Sequence, residues 1–131
     1  MQIFLLLESL IWLPYGLYLV FDPSFLVTAT EGGLQTGNGT GISEIRAMYG
    51  GLQAAIGVSC LRGVLRPDRA MTALVMLAFL ASGLWLGRVC GVFLDGGLSS
   101  YTIGALVFEG VTALGAFYFL QSRGSEDVSE S

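Results

Sequence analysis

Residues 70–94 read AMTALVMLAFLASGLWLGRVCGVFL, with Arg88 as their single charge. A helix rises 1.5 Å per residue, so about 20 mostly apolar residues cross the hydrocarbon core of a bilayer. This run meets that length and is read as a transmembrane helix. It is bounded by the basic turn Arg66-Pro67-Asp68-Arg69 before it and by Asp95-Gly96-Gly97 after it.

Working outward, three more apolar runs follow the same rule. Residues 44–65 form a helix behind Ser43, a candidate N-cap, and residues 101–121 form one behind Ser99 or Ser100. Residues 2–21 are apolar except for Glu8 and Pro14 and stop at Asp22-Pro23. That first run has no basic leader and carries a carboxylate inside it, so it is read as a retained helix, not a signal peptide. Between it and the next helix lies a loop whose Gly32-Gly33 and Gly37-Asn-Gly-Thr-Gly41 clusters break any periodicity. Asn38-Gly39-Thr40 matches a glycosylation acceptor, a pattern short enough to recur by chance. The predicted fold is all-α, an integral membrane bundle of four transmembrane helices within residues 1–121. Residues 122–131, SRGSEDVSES, are expected to be a disordered acidic tail.

Composition agrees. The 131 residues are 53% hydrophobic and 12% charged, against roughly 25% charged in soluble domains. Four spans take about 80 to 90 residues, which leaves no room for a second domain. The chain has neither histidine nor lysine. That excludes a His-ligated haem, a His-containing zinc site, a Ser-His-Asp triad, a Schiff base and a P-loop. No cofactor and no metal are expected. Cys60 and Cys90 lack CxxC spacing and fall near opposite ends of their helices, so they are read as small buried hydrophobes. A net charge of −4 gives no nucleic-acid footprint.

The arginines set the orientation. Arg62, Arg66, Arg69 and Arg123 share one side if four helices alternate, and the opposite loops carry Asp22, Glu31 and Asp95 with no basic residue. The positive-inside rule then puts both termini and the short basic turn of this multi-pass protein in the cytoplasm.

Lipid gives helices no hydrophobic drive to associate, so small residues and polar contacts must hold the bundle. Ala47, Gly51, Ala55 and Ser59 recur every four residues on one helix, and Gly83, Gly87 and Gly91 do so on the next. These ridges suit packing inside the bundle. The alternative reading is a homodimer or a docking face for a membrane-complex partner.

Charges within apolar runs carry the functional signal, because each costs about 2.5 to 3.5 kcal/mol at the bilayer centre and therefore faces inward and pairs. Arg88 falls about 9 Å below the outer end of its helix and Glu109 about 12 Å below the outer end of the following one. Antiparallel neighbours would bring them together. Arg46 and Tyr49 near the outer end of residues 44–65, and Asp95 two turns above Arg88, could join them in one polar pocket opening outward. Glu8 is expected to be an isolated intramembrane carboxyl, with Arg62 nearest by depth. Two competing readings stand beside the pocket: ion pairs that merely fix helix register, and proton-coupled transport.

The segments Glu44-Ile-Arg-Ala-Met-Tyr-Gly-Gly-Leu-Gln53, Gly87-Arg-Val-Cys-Gly-Val-Phe-Leu-Asp-Gly96 and Phe108-Glu-Gly110 resemble the bacterial family of domain of unknown function 4345, small proteins of four transmembrane helices. The likeness covers nearly the whole chain apart from the acidic tail. It implies a bacterial inner-membrane protein and supplies no activity. The function expected is non-enzymatic: an outer-leaflet pocket lined by Arg46, Tyr49, Arg88, Asp95 and Glu109 binds a lipid or small amphipathic ligand. The alternatives are an accessory subunit of a larger membrane complex and a quinone- or lipid-linked enzyme accessory.

Overall fold

The computed structural model describes the backbone of residues 1–129 and the side chains of residues 1–122. Its elements are α1 (Gln2–Phe21), the short α2 (Ser24–Ala29), α3 (Gly39–Ile45), a π-helical segment (Arg46–Gly51), α4 (Leu52–Leu65), a 3-10 turn (Pro67–Arg69), α5 (Ala70–Asp95) and α6 (Ser100–Ser129). The described chain is all-α. Three stretches are long and apolar enough to cross a membrane: Gln2–Phe21, Pro67–Asp95 and Ser100–Ser122. Their outward faces carry Ile3, Leu10, Phe79, Val107 and Leu114, each about half exposed or more. So many large apolar side chains facing out suit lipid and not water.

The loop expected over residues 22–43 is partly helical. Asp22 opens it by accepting from the backbone N–H of Ser24 at 3.2 Å and from the Ser24 hydroxyl. The Ser24 hydroxyl bond, larger than the desolvation that opposes it, holds the Asp22 carboxyl below its usual range. Asn38, not Ser43, caps the next helix: its Oδ1 accepts from the N–H groups of Thr40 and Gly41 at 3.1 Å. Gly96, at φ 70°, ends α5 in the left-handed conformation that glycine adopts freely. Ser99 caps α6 by accepting from Thr102 N–H at 3.2 Å. α6 then continues to Ser129, past the end expected at Gln121, because no proline or tight turn interrupts it. The disorder expected of the tail falls, for residues 130–131, outside the described residues.

The bundle is built from two close pairs, α1 with α4 and α5 with α6, joined mainly where α4 meets α5. The α1–α4 crossing depends on missing side chains. A Cβ on Gly16 would lie 2.7 Å from the carbonyl oxygen of Gly50, and one on Gly57 would lie 2.6 Å from Leu13 Cα. Backbones this close are what small residues make possible.

Which small residues do this differs from the four-residue ridges. Ala47, Gly51 and Ala55 are exposed, and Gly50, Ala54 and Gly57 face α1 instead. The π segment is the cause. Leu52 N–H bonds to the carbonyl of Ala47, five residues back, so one extra residue is inserted. One residue turns the downstream face by about 100°. The inward positions accordingly step from Ile45 to Gly50 and only then resume helical spacing through Ala54, Gly57 and Cys60. Gly83 and Gly87 are also exposed, Gly91 is half-buried, and a Cβ on any of the three would meet nothing within 4 Å. A methyl group at any of these positions would touch nothing in the described bundle.

The main core gathers Leu5, Trp12, Ile56, Cys60, Leu74, Leu77 and Ala116. A second cluster of Leu19, Leu26 and Ile45 sits under the first loop, with Tyr49 and Tyr101 against it. Cys60 is buried as expected, but Cys90 is exposed, because it lies on the outward side of α5.

Candidate functional site

α5 and α6 are antiparallel neighbours across a short turn, which sets Arg88 and Glu109 at matching depth. They make a bidentate pair. Arg88 Nε donates to both Glu109 oxygens at 3.1 and 3.0 Å, and Nη2 donates to Oε1 at 2.8 Å. Glu109 is 4% exposed. The Arg88 guanidinium also lies 5.7 Å from the centre of the Tyr101 ring, and Tyr101 shares a hydroxyl–hydroxyl bond of 3.2 Å with Tyr15 of α1.

A second polar group lies below the first. Glu8 was expected to stand alone, but it accepts from Trp12 Nε1 at 2.9 Å and from the Thr112 hydroxyl at 3.0 and 3.1 Å. Trp12 is one helical turn along α1, and Thr112 is three residues from Glu109 on the same side of α6. Both donors are neutral and buried, so the carboxyl is satisfied without an arginine. Arg62 is elsewhere, in an exposed cavity with Arg66 and Arg69 at the α4–α5 turn.

α1 and α6 touch mainly through large side chains, among them the rings of Trp12 and Phe108 at 5.3 Å. The gap they hold open is a cavity of about 320 Å³, lined by Ile11, Trp12, Tyr15, Gln53, Arg88, Tyr101, Gly104, Phe108 and Glu109 among others. Ile11 and Gly104 are exposed, so the mouth opens sideways, toward the outer apolar surface of the helices. Trp12 and Phe108 lie at its inner end, next to Glu8. A neighbouring cavity of about 390 Å³, toward the loops, has Thr30, Leu34, Tyr49, Arg88, Ser99 and Tyr101 in its wall. Arg88 and Tyr101 therefore form the partition between the two.

The five residues expected in one pocket are thus distributed. Arg88 and Glu109 meet at the cavity, and Tyr49 reaches Arg88 only from the loop side. Arg46 is turned away: its guanidinium donates to the carbonyl oxygens of Val20 and Phe21, capping the end of α1. Phase explains this, since Arg46 begins the π segment and faces α1's last turn. Asp95 is exposed at the last residue of α5 and lines neither cavity. Residues not expected at the site include Trp12, Tyr15 and Tyr101, whose rings suit a membrane border or a core equally well, and also Thr112 and Gln53. The signals of the last two were a hydroxyl three residues from Glu109 and a lone amide inside an apolar run. Among the described residues, no group of His, Cys, Asp and Glu side chains could hold a metal ion.

The family model described as domain of unknown function (DUF4345) matches residues 1–120. The chain belongs to the DUF4345 family. The match spans every residue of both cavities. No curated protein and no solved structure matches the chain. The family's description names no activity, so what this DUF4345 protein does must be argued from the cavity itself.

Proposed function

We propose that this DUF4345 protein is a membrane-embedded binding protein that takes the polar end of a small amphipathic molecule into the cavity between α1 and α6. One observation carries the reading. A cavity of about 320 Å³ opens sideways beside a buried Arg88–Glu109 pair, with aromatic and apolar side chains making most of its wall. Small-molecule sites have this character: mostly apolar, few polar groups, about 300 Å³ or more. Arg88 keeps Nη1 outside its bonds to Glu109, so donor capacity is left over.

The test is native mass spectrometry of protein extracted in gentle detergent. Wild type should carry a small molecule of defined mass. Gly104→Phe should lose it while keeping the fold, because position 104 lines the cavity and a Cβ there meets no protein atom within 4 Å, so the ring can occupy the cavity without displacing a helix. A clean apo wild type, or full retention by Gly104→Phe, would overturn the reading.

The reading includes four membrane crossings in a bacterial inner membrane, with both termini in the cytoplasm. Supporting the fourth crossing, residues 39–65 keep helical dihedrals through both joints of the π segment. At 1.5 Å per residue they extend about 40 Å. In cells expressing a Cys-free background, a cysteine at Ser99 should react with an impermeant maleimide from outside. One at Arg66 should react only after permeabilisation. The opposite pattern would invert the topology.

A second reading is favoured by the open ridge Gly83, Gly87 and Gly91. Such a ridge suits a helix of another copy or of a partner complex. The same spectra report it: a dimer mass lost in Gly87→Leu would support it, and a monomer in wild type would not.

A further inference from the structure

Among the described residues, Gln53 is the buried polar side chain of the cavity that has no bond of its own. It is 7% exposed, lines the cavity beside Arg88 and Glu109, and its amide reaches no hydrogen-bond partner among the described residues. Its amide oxygen and nitrogen are not fully enclosed by protein, and the residue forms part of the cavity wall. Native proteins pair buried amides, so an amide set this deep and left free points to something that enters from outside the chain. An amide both donates and accepts.

Charge narrows the chemistry. The ionised groups facing the cavity are Arg88 and Glu109, and they neutralise each other. Arg46 is spent on the carbonyls of Val20 and Phe21, and Asp95 stands outside. An anionic or cationic head would therefore be buried without a counter-ion, which membrane depth makes costly. A hydroxyl or carbonyl group meets the remaining capacity: Gln53 donating and accepting, Arg88 Nη1 donating, and the Tyr15 and Tyr101 hydroxyls doing either. An apolar chain would leave through the mouth between Ile11 and Gly104.

We infer that Gln53 is the specificity-determining residue of this cavity and that its occupant is an uncharged amphipath bearing a hydroxyl or carbonyl at its polar end. The inference rests on the cavity being the binding site.

Trp12 in the wall supplies the readout, since the chain has two tryptophans and Trp85→Phe leaves Trp12 alone. The protein, in phosphatidylcholine nanodiscs at neutral pH, is titrated with three probes that carry a vinylic bromine next to the polar end: 4-bromodec-4-en-1-ol, 4-bromodec-4-enoate and 4-bromodec-4-enylammonium. Bromine quenches indole fluorescence. The alcohol is expected to quench saturably, with reversal by unbrominated decanol, at an apparent affinity about tenfold above the acid and the amine. Gln53→Leu should lower the alcohol's affinity about tenfold, the worth of one hydrogen bond. This variant removes no bond within the protein, and Gln53→Met provides a second apolar replacement should leucine misfold. Equal quenching in wild type and both variants would overturn the role of Gln53 while leaving the cavity as the site. Tighter binding of the acid or the amine would overturn the uncharged head. Absence of saturable quenching by all three probes would remove the cavity reading, and this inference with it.

Discussion

Arg88→Leu is expected to destabilise the bundle by about 3–5 kcal/mol, the cost of stranding a buried charge once its partner is gone. Glu109 would be left 4% exposed with its guanidinium partner missing. Arg46 cannot replace it, being committed to the carbonyls at the end of α1. The double variant Arg88→Leu with Glu109→Leu should recover most of the loss, because two apolar side chains of similar size are well accommodated where an unpaired carboxylate is not. Unfolding of the four proteins in mixed micelles closes the cycle. Additive losses, with the double variant as unstable as the sum of the singles, would show that the two residues act independently. A full recovery would also bear on function: the pair would then be dispensable for folding, and its place in the cavity wall would call for another reason.

Gly57→Ala should also be costly, by about 1–3 kcal/mol as for other overpacked contacts. The added methyl would sit 2.6 Å from the Cα of Leu13, against backbone that cannot swing aside as a flexible side chain can. α1 would have to move off α4. Because α1 also carries Trp12 and Tyr15, that displacement should widen the cavity as well as weaken the fold. Gly87→Ala is the control, since the new methyl meets nothing within 4 Å. There the change should be near zero or slightly favourable, alanine being the better helix former. Equal effects at the two positions, in the same micelle assay, would refute the crossing described here.

Much of the architecture was legible from the residues in order. Apolar runs of sufficient length locate α1 and α5 to within a residue or two, and depth counted from the helix ends puts Arg88 opposite Glu109. Both inferences use only the helical rise and the connection between neighbours, which are local properties. Gly96 and Ser99 mark the ends of α5 and α6 for the same reason. The chain's lack of histidine and lysine bounds its chemistry without any coordinates.

Phase and partner choice were decided by the tertiary structure. A π-helical segment at Arg46–Gly51 leaves no plain mark in composition, yet its one extra residue turns Gly51 and Ala55 outward and brings Gly50, Ala54 and Gly57 to α1. The same insertion brings Gln53 to the cavity, whereas Arg46, ahead of it, faces the end of α1. Glu8 finds Trp12 and Thr112 because α6 lies across from α1, a pairing between residues 104 positions apart in the chain. Length and polarity along a helix are set by the residues themselves, and so the sequence alone determined where the helices run and which charges lie deep within them. The face a helix presents depends on every residue inserted before it and on the neighbour it meets, and so only the packed bundle decided which side chains share the cavity.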